Sequence, residues 1–170
     1  MNSVVWWATA SLVLVAAVWD VRTRRIPNRL VLPFLVAGLV FSAGRYGTAG
    51  FARSMGGIGL ATAAVGVICW LRGMGMGDLK LCAAVGAWIG VSQLAVALVI
   101  TAMAGGVMAI VWAARYGALG ESFDGAADLA FGVVRRGFRP HPVLTLDHPR
   151  ARGIPYAPAI AVGTLFSFFC

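Results

Sequence analysis

Asp20 and Asp78 are the residues of this chain whose type and setting suggest chemistry. Asp20 closes the first apolar run, and Asp78 follows the glycine-rich string Gly73-Met74-Gly75-Met76-Gly77 at the start of another. Carboxylates at membrane depth are costly, so they are rare and usually face a bundle interior or a wet cavity. Two of them at the polar margins of apolar runs suggest an acid/base pair. Like charges a few ångströms apart do not both ionise readily, so such a pair shares a proton and titrates as a unit. The ionised member can take a proton from water while the protonated partner hydrogen-bonds a scissile carbonyl and later protonates the leaving amine. Peptide hydrolysis without metal, serine or cysteine is the natural outcome, and no cofactor is needed. Which aspartate begins as the base is left open by the sequence.

Each aspartate also has a plainer reading. Asp20 could be a juxtamembrane residue paired with Arg22, Arg24 or Arg72, and Asp78 could be an N-cap, a position that favours aspartate. Taken together they weigh differently: they are the only acids near the apolar runs before Glu121. Gly75 and Gly77 would in addition allow the chain before Asp78 backbone angles closed to other residues.

The elements that must position this pair follow from composition. With 60% hydrophobic and 12% charged residues among 170, and a mean hydropathy of +0.85, the chain carries too much apolar surface for an ordinary soluble domain of this length. It reads as an all-α, polytopic integral membrane protein forming a single domain over residues 1–170. The Met-Asn-Ser start has no basic n-region, and Val4–Trp19 runs into arginines rather than a small-residue cleavage site, so the first span is expected to be retained.

About 17–25 apolar residues cross a bilayer as a helix. Expected spans cover residues 3–19, 30–44, 54–71, 79–91, 94–114 and 154–170. The run Leu79–Ala114 would extend roughly 54 Å as one helix, too far for one crossing, so a break is expected near Val91-Ser92-Gln93. Pro155 and Pro158 sit where a helix start tolerates proline.

Charge then sets orientation. Of 14 basic residues, all but Arg45 and Arg53 fall in the loops after spans one, three and five or, as Lys80 does, at the span edge beside them. The positive-inside rule puts those loops in the cytoplasm and both termini outside, with Asp20 and Asp78 on the same cytoplasmic side. The net charge of +8 is spread over juxtamembrane loops without interleaved aromatics, which fits anionic lipid contact and gives no reason to expect a nucleic-acid partner.

Cys69, Cys82 and Cys170 stand singly in apolar runs, with no Cys-x-x-Cys, and read as small buried hydrophobes. The cytoplasmic loop of about 115–153 holds Glu121, Asp124, Asp128, Asp147 and both histidines. From Ser122 to Arg136 apolar residues recur at helical spacing, as in a helix lying on the leaflet. His141, Asp147 and His148 sit in a proline-bounded loop and read as solvated polar residues; no metal site is expected.

Three segments together resemble the type IV prepilin peptidases: Trp19-Asp20-Val21-Arg22-Thr23-Arg24-Arg25-Ile26-Pro27-Asn28, Gly75-Met76-Gly77-Asp78-Leu79-Lys80, and Ile154-Pro155-Tyr156-Ala157-Pro158-Ala159-Ile160-Ala161. The similarity is closest to the short form associated with tight-adherence (Flp-type) pili, and it covers most of the chain. The resemblance implies a membrane aspartic endopeptidase that removes the basic leader of a prepilin at the cytoplasmic membrane face. It matches Asp20 and Asp78 to the catalytic aspartates, Gly75 and Gly77 to the motif glycines, and Lys80 to a supporting lysine. Longer members carry a cysteine-containing loop associated with N-methylation, whereas here about nine residues separate spans one and two; cleavage alone is expected. The implied partners are the prepilin, with its basic leader and apolar helix, and lipid. A basic leader would meet an arginine-rich face, so Glu121, Asp124 and Asp128 are candidate docking acids.

Two other classes remain. Proteases of the presenilin type also use a Gly-x-Gly-Asp aspartate, but their Tyr-Asp partner motif is replaced here by Trp19-Asp20. A transport or pilus-assembly subunit would use the carboxylates to relay protons or brace the bundle.

Overall fold

The structure, a computed structural model, describes residues 3–71, 74–115 and 155–169. Every regular element among them is an α-helix: α1 (Ser3–Thr23), α2 (Asn28–Trp70), α3 (Met76–Arg115) and α4 (Ala157–Phe166). α1, α2 and α3 are each long and apolar enough to cross a membrane.

α1 buries one stripe and exposes large apolar side chains elsewhere. Thr9, Leu12, Val13, Ala16 and Asp20 are buried at three- and four-residue steps, while Trp7, Leu14, Val18 and Val21 face outward. Helical periodicity therefore places Asp20 on the inward stripe. Outward valines and tryptophans suit a lipid-facing surface. The helix runs past the expected end at 19, so Asp20 lies inside its last turns rather than beyond it. It stops at Arg24, which takes φ 52° and donates its N–H to the Asp20 carbonyl at 2.7 Å, a left-handed cap. Pro27 then opens α2 in extended geometry, with φ −72° and ψ 133°.

α2 and α3 each double back at one glycine. Gly47 has φ 60° and ψ −143°, and Gly90 has φ 78° and ψ −174°, backbone that a residue with a Cβ rarely adopts. Ser42 and Ser54, on opposite sides of the first break, donate to the same Ala87 carbonyl at 3.5 and 2.6 Å. In a straight helix they would stand roughly 18 Å apart. Gly50 fits against the Ser42 carbonyl, where no Cβ has room. At the second break Arg53 Nη2 donates to the Ile89 carbonyl at 2.8 Å, satisfying an acceptor that the interrupted helix leaves open. The expected loop between residues 44 and 54 is thus helical on both sides of Gly47, and the turn anticipated at Val91-Ser92-Gln93 lies at Gly90. Hydropathy averages over many residues, whereas the turn is decided by one glycine's φ.

Residues 76–89 form the centre. Leu81 through Gly90 are buried consecutively, so that segment is covered on all sides. Gly57 and Gly86 meet backbone to backbone; a Cβ on Gly57 would collide with the Gly86 carbonyl oxygen. Small residues permit such approach where lipid offers no hydrophobic drive to packing. Leu12 and Val13 of α1, Ala61 and Val65 of α2, and Ala157 and Ile160 of α4 join this core. α4 lies on α3 through Gly163, whose missing Cβ leaves space for Thr101 and the Ala97 carbonyl.

Candidate active site at the helix ends

Asp20 reaches the site from the end of α1 and is only 7% exposed. A buried carboxylate needs donors. One comes from the other end of the chain: the backbone N–H of Ala157, the first residue of α4, donates to Asp20 Oδ2 at 3.1 Å.

Asp78 is the third residue of α3, so it is not the N-cap itself. Gly75 precedes the helix. The Asp78 N–H donates to the Gly75 carbonyl at 3.1 Å, and the Gly75 backbone faces the Asp78 carboxylate. The Cys69 thiol donates to the same Gly75 carbonyl at 3.5 Å, tying the end of α2 to the turn.

The fold brings the two carboxylates together: Asp78 lies within electrostatic reach of Asp20. Cys69, Cys82 and Tyr156 also lie within electrostatic reach of Asp78. Cys82 is buried and Cys69 half-buried, both as free thiols; Cys170 lies outside the described residues.

The motif glycines act by size rather than by unusual torsion. Among the described residues only Gly47 and Gly90 are glycines with positive φ, so the expected freedom at Gly75 and Gly77 is not what they supply. A Cβ on Gly77 would stand 3.2 Å from Ile26 Cβ, a tight contact, and one on Gly75 would stand 3.4 Å from Asp78 Oδ2. Gly77 thereby lets α3 start directly against the strap that leaves α1. Lys80 Nζ donates to Asn28 Oδ1 at 3.0 Å, joining the first turns of α3 and α2 on the exposed side of the same corner. Glu121, Asp124, Asp128 and both histidines lie outside the described residues.

Three helix ends and one inter-helix strap therefore converge on a pair of carboxylates. A family model for the type IV leader peptidase family matches residues 7–110, a stretch that includes Asp20, Gly75, Gly77, Asp78 and Lys80. The chain belongs to the type IV leader peptidase family. Among curated members of the group it is similar to the prepilin leader peptidase/N-methyltransferase of Bacillus subtilis (strain 168), at 30% identity over 161 residues, which cover 93% of this chain and 52% of that protein. It is 39% identical to the corresponding protein of Escherichia coli (strain K12) over 100 residues, 55% of this chain and 44% of that one. The Neisseria gonorrhoeae protein is 33% identical over 98 residues, covering 54% and 34%. The chain spans about half the length, or less, of these relatives. No solved structure gives a significant match.

The resemblance carried by the Asp20 and Asp78 segments is thus confirmed at the level of the type IV leader peptidase family. Sequence reasoning missed the backbone donor at Ala157, the Asn28 partner of Lys80, and the seat of Gly77 on Ile26. Pro155 and Pro158 marked a helix start, but nothing in the sequence told where that start would be aimed.

Proposed function

We propose that this leader peptidase family member is a membrane aspartic endopeptidase that cleaves the leader from a type IV prepilin, with Asp20 and Asp78 as its catalytic pair. The observation that carries this reading is the convergence of the two carboxylates, distant in sequence, at the ends of apolar helices. One member holds the shared proton and polarises the scissile carbonyl, and the other activates water. Gly75 and Gly77 set the turn that presents Asp78, and Lys80 braces it through Asn28.

Membership of the family supports a prepilin substrate, and the local motifs favour the Flp-type class. The connection from α1 to α2 consists of residues 24–27, with no room for a cysteine-bearing loop there, which favours cleavage without N-methylation. The helical segments on either side of Gly47 and Gly90 are read with α1 as five spans and α4, whose ten helical residues are fewer than a full crossing needs, as the sixth, in a cytoplasmic membrane with both termini outside and the aspartates facing the cytoplasm. The distribution of arginines supports that orientation. Glu121, Asp124 and Asp128 are proposed to receive the basic leader; unchanged processing after reversal of their charge would remove them from the site.

Co-expression with a Flp-type prepilin, followed by mass spectrometry of the pilin, tests the reading. Leader removal by the wild type, lost in both Asp20→Asn and Asp78→Asn at matched membrane levels and leaving an unmethylated N-terminus, is the expected result. Cleavage that survives either substitution would overturn the two-aspartate mechanism.

A further inference from the structure

The first turn of α4 has few donors to offer. Pro158 has none, and the N–H groups of Ala159 and Ile160 both turn back to the Tyr156 carbonyl, at 3.0 and 3.2 Å. The Ala157 N–H is left over, and it leaves the helix to meet Asp20 Oδ2 at 3.1 Å. Asp20 itself stands near the end of α1, where neighbouring backbone N–H groups are committed to carbonyls four residues back. Its orientation must therefore be set by something outside its own helix.

α4 is seated so that this donor has one address. The Tyr156 ring lies against Gly105, Gly163 lies against Thr101 and the Ala97 carbonyl, and Ala157, Ala159, Ile160 and Ala161 are buried. Each contact is with the half of α3 beyond Gly90 or with the core, so α4 has a defined register on its neighbours. None of it falls within the stretch 7–110 that the family model matches.

We propose that the first turn of α4 is a positioning part of the catalytic site: the Ala157 N–H pins Asp20 Oδ2 and so fixes the orientation in which that carboxylate meets Asp78 and water. The proposal rests on the two-aspartate reading. Ala157 acts through Asp20 and does not touch substrate, and its side chain is irrelevant to the contact. Catalysis then depends on α4 being docked, because a carboxylate free to rotate is no longer held in a near-attack position.

The test uses the full chain, with wild-type cleavage measured first. Ala157→Pro removes the donor at a helix position that accepts proline, and Gly106→Ala, on α3 where an added Cβ meets nothing within 4 Å, is the control. The expected result is a roughly 100-fold loss of kcat in Ala157→Pro with KM within about twofold, and Gly106→Ala within about threefold of wild type. Because Tyr156 has φ −93° and ψ −18°, a region disfavoured before proline, a second measurement separates lost donor from lost structure. Tyr156-Ala157 is the only Tyr-Ala step in the sequence. Carbonyl-13C tyrosine with 15N alanine therefore reports a single amide, which should move in Asp20→Ala if the bond exists. An unmoved resonance, or Ala157→Pro cleaving within about twofold of wild type, overturns the inference while leaving the peptidase reading intact. A wild type that cleaves no prepilin overturns both.

Discussion

The Tyr156 ring lies against Gly105 so closely that a methyl group there would collide with the tyrosine hydroxyl oxygen, Cζ and Cε2. Its neighbour Gly106 has nothing within 4 Å of where a Cβ would stand. Gly105→Ala should displace Tyr156 and with it the first turn of α4, reducing prepilin cleavage by roughly tenfold or more. Gly106→Ala should cleave as wild type does. Equal activity in the two variants would separate the seat of α4 from the chemistry.

Asp20 and Asp78 should behave as one unit. Each Asp→Asn change is expected to lower the cleavage rate by on the order of 10²–10⁴-fold, and the double variant should be no slower than the worse single one. Single-turnover cleavage at saturating prepilin is the measurement. Multiplying losses would show that the carboxylates act independently.

The approach of Gly57 to Gly86 should be costly to disturb. Gly57→Ala places a Cβ into the Gly86 carbonyl, whereas Gly59→Ala points into open space. The first is expected to lower stability by about 1–3 kcal/mol, read as a lower midpoint of thermal unfolding in detergent. The second should be neutral or slightly stabilising, since alanine is the better helix former.

Lys80 and Asn28 are joined by one exposed hydrogen bond of 3.0 Å, so their effect should be modest and shared. Asn28→Ala and Lys80→Gln are each expected to slow cleavage a few-fold. A double-mutant cycle should return a coupling of about 0.5–1 kcal/mol. Zero coupling would mean that Lys80 serves the site without Asn28.

Much of the architecture was legible in composition and periodicity. Apolar runs long enough to cross a bilayer announced helices, because in lipid an unpaired backbone group is too costly for irregular chain. The steps from Thr9 to Asp20 placed that aspartate on the inward face of α1. The turns were less legible: Gly47 and Gly90 are two of 22 glycines, and no local property distinguishes the glycine that takes positive φ from one that only makes room. Gly77 shows the converse, since its tight contact with Ile26 arises from a strap some 50 positions earlier.

The class of chain, its helices, and the two carboxylates suited to acid/base work were readable from the residues, because hydropathy, periodicity and side-chain chemistry are local properties. That Asp20 comes within electrostatic reach of Asp78 and is held by the Ala157 backbone, 137 residues away, emerged from the folded chain alone. Those relations depend on how helices fold back and dock. A backbone N–H is present at every residue except proline, so no pattern of side chains could have singled out the one that meets Asp20.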